Sequence, residues 1–287
     1  MSPRPAGGLP RREPWRWLRR FPGRARRSVV AVGAGPTLAG LAVLALIGAG
    51  STAADPIPTA LRVDAIPAVG AVFPGGIGTA PTCTASVIRS AARDVVLTSA
   101  HCLSGRGHGV QFAPGYHDGV TPYGVWDVTA VYVDPRWVST QDPQHDYVFL
   151  TVAAQQRQGR TVQLGDVVAG NTVGLAPRTG DYVQVVAYPF DADDYPVTCT
   201  TSTYAFAGFP AFDCGGYVPG SSGAPWLIRD HGQGSVVGGV IGGLHQGGCL
   251  DRTSYSPLFD QDTLAVYDRA VRAGPSDTLP VPAAADC

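Results

Sequence analysis

Three short stretches of this 287-residue chain carry side chains able to do chemistry together. LTSAHC, Leu97 to Cys102, delivers a histidine at the end of an apolar run. HDYVFLTV, His145 to Val152, sets an aspartate ahead of another apolar run, and PGSSGAPW, Pro219 to Trp226, is a glycine-rich turn holding two serines. Taken singly, each has an ordinary reading: histidines at strand ends, aspartates before strands and Gly-Ser turns are all common. In the order His101, Asp146, Ser222, with intervals of 45 and 76 residues, they complement one another. A hydroxyl is a poor nucleophile at neutral pH, and an imidazole titrating near about 6.5 is suited to take its proton and return it to a leaving amine. A buried carboxylate then fixes the imidazole's tautomer and stabilises its charged form.

Ser221 is the rival nucleophile, and Ser222 is preferred because the following Gly223 leaves room for substrate. An α/β-hydrolase elbow would need glycine at Ala224 and the chain order Ser, Asp, His, and neither is present.

Standing as TSAHC, DYVFL and GSSGAP, the three segments together resemble the motifs of the chymotrypsin-like (trypsin-like) serine protease family: Thr-Ala-Ala-His-Cys, an Asp-hydrophobe strand and Gly-Asp-Ser-Gly-Gly-Pro. The resemblance spans residues 66 to 273 and is nearest to secreted bacterial members, with CTASVIRS ahead of the histidine and SYSPLF after the last barrel strands. It implies an all-β fold of two six-stranded Greek-key barrels with a C-terminal helix, His101 and Asp146 coming from the first barrel and Ser222 from the second. It implies a serine endopeptidase working through an acyl-enzyme on a protein or peptide substrate, as a monomer without cofactor or metal. The oxyanion hole would be the backbone N–H groups of Gly220 and Ser222. By the same likeness Cys83 pairs with Cys102, and Cys199 with Cys214. Cys249 and Cys287 remain to pair with each other, unless Cys287 is free or intermolecular. An esterase with the same triad is compatible, and the rival from another class is a catalytically silent binding module that keeps the fold.

The chain departs from the family in two places. Ser221 stands where animal-type enzymes have the aspartate that receives the newly cut amino terminus, so the hole is expected to form without terminal insertion, and removal of residues 55 to about 65 is expected to leave activity intact. Gly216 stands where trypsin-like enzymes carry an acidic residue, so a preference for Arg or Lys is not expected. The other wall of the substrate pocket is expected from a strand over Val240 to Gly248, where Gly247 and Gly248 leave backbone free to pair with substrate. His245 in that strand is either a variable pocket-lining residue or, as in glutamate-specific bacterial relatives, a ligand for a substrate carboxylate.

The elements that must position these residues read as short strands. VGAVF, CTASVI, DVVLTS, WDVTAVYV, DYVFLTV, DYVQVVAYP and SVVGGVIGG recur between Gly, Pro, Asp and Asn, the mark of antiparallel β structure in a sandwich or barrels. Within 126 to 133 the alternation is imperfect, as for a strand covered on both faces. AAQQRQGR, 153 to 160, reads as a polar linker between halves at about 60–155 and 161–260. One helix is expected over 262–273, capped by Asp262 and stopped by Gly274, followed by an extended Pro- and Ala-rich tail over 275–287.

Composition agrees with a β-rich domain. Lysine is absent and Glu13 is the single glutamate, so exposed-helix formers are scarce, while 45% hydrophobic residues are enough for a core. The net charge of −1 conceals an uneven distribution, because nine of the 21 arginines precede residue 28. From Asp55 onward 12 arginines face 21 aspartates, a balance of −9 that excludes a basic nucleic-acid surface. The arginine-rich start, the uncharged run Ser28 to Gly50 and the small residues of STAAD read as a signal peptide over 1–54, or as an uncleaved membrane anchor. Both place the 55–274 domain outside the cell, and an uncleaved segment would be its one link to a membrane. Six cysteines, all after that segment and none spaced C-x-x-C, suit disulfides in an oxidising compartment rather than zinc. His108, His117, His145 and His231 are expected in solvated loops, and Asp191, Asp193 and Asp194 as an exposed acidic loop without a metal.

Overall fold

The computed structural model describes residues 56–190, 194–230 and 234–286. The expected signal or anchor over 1–54, together with Asp191, Asp193, His231 and Cys287, lies outside the described residues. Strand β1 (Leu61–Arg62) comes first. Strands β2 (Val69–Phe73), β3 (Cys83–Ile88), β4 (Val95–Thr98), β5 (Gln111–Pro114), β6 (Trp126–Val133) and β7 (Val148–Val152) then close an antiparallel barrel in the order β2-β3-β4-β7-β6-β5. Closure leaves no free edge and fills the interior with alternate side chains, among them Val72, Phe112, Trp126 and Leu150. The imperfect alternation in β6 has a local cause: Val128 faces Val152 while Ala130 faces Thr151, so the strand bulges at Thr129 and changes which side chains turn inward.

Between the halves, the segment expected as a linker forms a hairpin of β8 (Gln155–Arg157) and β9 (Arg160–Val162). Gln158 and Gly159 both take positive φ, 51° and 74°, as a two-residue turn matched to strand twist requires. The second half is an eight-stranded sheet. Strands β10 (Thr172–Val173), β11 (Tyr182–Ala187), β12 (Val197–Phe206), β13 (Phe209–Asp213), β14 (Pro225–Asp230), β15 (Gly234–Val240) and β16 (Thr253–Tyr255) run in the order β10-β15-β14-β11-β12-β13-β16. The eighth strand is β1, which pairs with β12, so residues 61–62 belong with the second half and not with the first barrel. Val183, Val185, Phe212 and Trp226 form its core.

A third apolar cluster joins inward residues of both halves, including Phe73, Tyr116, Tyr188 and Leu227, to the last helix. Short helices α1 (Pro135–Thr140) and α2 (Leu164–Val167) lie in connections, and α3 (Gln261–Val271) is that last helix. Its cap is Asp260 rather than Asp262: the Asp260 carboxylate accepts from the N–H groups of Asp262 and Thr263, and the Thr263 hydroxyl accepts from the Asp260 N–H. Among the described residues no helix is long and apolar enough to cross a membrane.

Candidate active site

His101 sits in the 3₁₀ turn Ala100–Cys102 that ends β4. Two ties pin that turn: the Cys83–Cys102 disulfide to β3, and the Ser99 hydroxyl donating to the Ile241 carbonyl at 2.7 Å. Asp146 follows the 3₁₀ turn Pro143–His145 on the way into β7 and is wholly buried. Its Oδ2 lies 2.6 Å from His101 Nδ1 and accepts from the Gly243 N–H at 2.9 Å, while Oδ1 accepts from the His101 N–H at 2.9 Å. Each carboxylate oxygen thus already accepts from a backbone N–H, and with a proton on the Nδ1 that faces Oδ2 the Nε2 atom keeps its lone pair.

Ser222 lies with His101 on the wall of a cleft of about 630 Å³ that also takes in Gly220, Ile241 and residues 245–251. Ser221, its rival, is 1% exposed, with its hydroxyl buried and unpartnered among the described residues. Around Ser222 each peptide plane is fixed from behind. The Pro219 carbonyl accepts from the Phe190 N–H at 2.9 Å, and the Ser221 carbonyl from the Ala224 N–H at 3.0 Å. Because C=O and N–H point opposite ways across a trans peptide, the N–H groups of Gly220 and Ser222 turn away from those partners. Among the described residues neither donates to a protein acceptor. Two unspent donors beside a hydroxyl and an imidazole can stabilise an oxyanion.

Two glycines make this packing possible. Gly220 has φ +98°, and a Cβ there would lie 2.5 Å from the Tyr188 carbonyl oxygen. A Cβ on Gly223 would come within 2.0 Å of Thr98 Oγ1 and 2.2 Å of the Thr84 carbonyl oxygen. Gly223 thus has a packing reason of its own: without a Cβ it lets the serine turn press against the first barrel.

The pocket residues fare unevenly. Gly216 is not among the cleft's lining residues, and its nearest neighbours are Thr59 and Ala60. His245, Gly247 and Gly248 do line the cleft, but not as a strand: β15 ends at Val240, and Leu244–Gly247 coils into a 3₁₀ turn with His245 and Gln246 in the left-handed region. His245 Nδ1 lies 2.8 Å from Asp286 Oδ1, and that contact holds the Asp286 carboxyl below the usual carboxylate range. Asp251 and Ala285 also line the cleft and were missed, since neither lies in a motif. His145, expected in solvent, is buried, with Nδ1 3.1 Å from Asp142 Oδ2. Asp194 accepts from the Tyr116 hydroxyl at 2.9 Å. Cys199–Cys214 is bridged as expected, and Cys249 is also disulfide-bonded.

Residues 83–238, more than half the chain, match the family model of the trypsin-like peptidase domain. The chain belongs to that family. As a trypsin-like peptidase domain it has solved neighbours of the same fold. Protease Anisep from Arthrobacter nicotinovorans is 23% identical with a TM-score of 0.61, over 75% of this chain and all of that one, 100%. A thermostable serine protease, AL20, from an extremophilic microorganism is 23% identical with a TM-score of 0.59, over 72% and 98%. A Glu endopeptidase is 17% identical with a TM-score of 0.56, over 75% and 97%. Identities this low speak for the fold. No curated protein matches the sequence.

Proposed function

We propose that this trypsin-like peptidase domain is a secreted serine endopeptidase with Ser222 as nucleophile, His101 as general base and Asp146 as its orienting carboxylate. Ser222 Oγ attacks the scissile carbonyl and His101 Nε2 takes its proton. The oxyanion is held by the N–H groups of Gly220 and Ser222, and His101 returns the proton to the departing amine. Water then repeats the sequence on the acyl-enzyme. The observation that carries the reading is the 2.6 Å contact between His101 Nδ1 and Asp146 Oδ2, in a cleft that Ser222 shares. The bridged cysteines support export, because disulfides persist in oxidising compartments.

Gly216 brings no charge and lies off the cleft, so it gives no ground for a preference for Arg or Lys. A glutamate preference would have to use His245 Nε2, because Nδ1 is spent on Asp286. The test is digestion of an unbiased peptide library with Ser222→Ala as control, alongside phosphonate labelling of Ser222. Cleavage that survives in Ser222→Ala refutes the assignment. In the same library, equal turnover after Glu and Gln removes the carboxylate preference.

A further inference from the structure

The chain does not leave the domain after α3 but returns along the first barrel to the cleft. Asp277 accepts from the Val133 N–H, and Leu279, 3% exposed, exchanges two backbone hydrogen bonds with Gly105 at 3.0 and 2.8 Å. Residues 281–286 then cross to the second half. The Ala283 N–H donates to Gln141 Oε1 at 2.8 Å, and its carbonyl accepts from Gln246 Nε2 at 2.7 Å. Gln141 belongs to the connection that leads to Asp146, while Gln246 belongs to the turn after β15. One residue thus bridges the two walls. Gln141 Nε2 also donates to the Val281 carbonyl at 3.1 Å, His245 meets Asp286 at 2.8 Å, and Ala285 lines the cleft. Gln141, His245 and Gln246, the three side chains that fasten this strap, all have φ near +52° (52°, 52° and 53°). Non-glycine residues seldom take that conformation, so the local backbone is committed to presenting them.

The strap's end of the cleft is defined by the chemistry. The departing amine takes its proton from His101, so the leaving half of a substrate lies toward His101, the Cys83–Cys102 bridge and Thr82. The acyl half therefore runs the other way, toward residues 245–251 and Ala285, where the strap crosses. We infer that the strap of residues 281–286 closes the acyl end of the cleft and so narrows the endopeptidase reading above: the enzyme cuts peptides only a few residues from their amino end. Long or folded chains with the bond far from a terminus are excluded, and short or frayed amino-terminal segments are the substrate class. This rests on the catalytic assignment above.

The test is a set of peptides with one cleavage sequence whose acyl side grows from about one to about eight residues, a span of roughly 26 Å when extended. The full chain is compared with a chain ended after Pro280, which lacks the strap but keeps Leu279 and its two bonds to Gly105. For the native chain, kcat/KM should fall by at least about tenfold as the acyl side lengthens, a loss of about 1.4 kcal/mol in transition-state binding. The shortened chain should flatten that profile. A flat profile in the native chain overturns the inference, and it does so without needing the variant to fold. An unchanged length dependence in the variant, or an equal gain on every length, also overturns it. Phosphonate labelling of Ser222 separates the two levels: a flat profile with labelling intact removes only the length gate, whereas loss of both cleavage and labelling removes the catalytic assignment with it.

Discussion

Thr84, on the first barrel, donates its hydroxyl to the carbonyl of Gly220, on the second half, at 3.0 Å. The same hydroxyl accepts from the Tyr188 N–H at 2.9 Å, and the Thr84 N–H donates to the Ser222 carbonyl at 2.8 Å. A single residue next to Cys83, through its hydroxyl and its backbone N–H, thus fixes the backbone on both sides of the serine turn. Thr84→Val keeps the shape but strands a buried acceptor and a buried donor, which costs about 1–3 kcal/mol. As a positioning residue it should lower kcat while leaving KM little changed, and Thr84→Ser should recover most of the loss. A change confined to KM, or no recovery in Thr84→Ser, would show that the contact does not set the serine turn.

Gly220→Ala tests the pair of unspent N–H groups directly. The added Cβ meets the Tyr188 carbonyl oxygen in a conformation with φ +98°, so the peptide before it must rotate. Loss of one oxyanion donor is expected to lower kcat by ~10²–10³. Phosphonate labelling slowed to a similar degree, with folding retained by circular dichroism, would place the defect at the hole.

Asp146→Asn should leave the shape of the site intact and still lower kcat by ~10⁴, because the amide can donate to His101 Nδ1 and favours the wrong tautomer. The amide must also face the Gly243 N–H, which now donates to Oδ2. A stopped-assay comparison with a matched ester substrate checks this. A loss of less than about tenfold would mean that His101 is oriented by other contacts.

How far these residues could be read in advance depended on whether their role is local. His101, Asp146 and Ser222 sit in segments whose own composition is distinctive, and the strands around them alternate or run apolar. The parts that were missed are relations between distant segments. Thr84 looks like any threonine in a strand, and the groups it meets at the serine turn, on Tyr188, Gly220 and Ser222, lie more than a hundred residues away. The turn at Leu244–Gly247 looked like strand because its glycines suit backbone pairing, whereas left-handed His245 and Gln246 coil it. Pro- and Ala-rich sequence after α3 indicated an extended segment but not where it goes, since its course is set by Gln141, Gln246 and His245.

Removal of the Cys83–Cys102 bridge by paired alanine substitutions opens a loop with a sequence separation of 19 and should destabilise the domain by about 3 kcal/mol. His101 stands beside Cys102, so kcat should fall as well, in proportion to the freedom gained by the Ala100–Cys102 turn. Denaturant unfolding measures the first effect. Turnover measured well below the midpoint isolates the second, and unchanged turnover there would show that Ser99 and Asp146 hold the turn unaided.

Shortening the amino-terminal side separates stability from activity. Residues 58–63 lie along the second half: the Gly215 N–H donates to the Pro58 carbonyl, the Ala60 N–H to Gly215, the Val63 N–H to Pro196, and β1 pairs with β12. None of these contacts reaches His101, Asp146 or the N–H groups of Gly220 and Ser222. With Ser221 buried in place of an acidic residue, no terminal ammonium is called for at the serine turn. Removal up to residue 57 should therefore change neither stability nor turnover. Removal up to residue 65 should lower the unfolding midpoint, at about 1 kcal/mol for each lost backbone bond. Turnover per folded molecule should stay the same, and its loss while the domain is still folded would mean that the packing of residues 58–60 against Gly215 and Gly216 is transmitted to the serine turn.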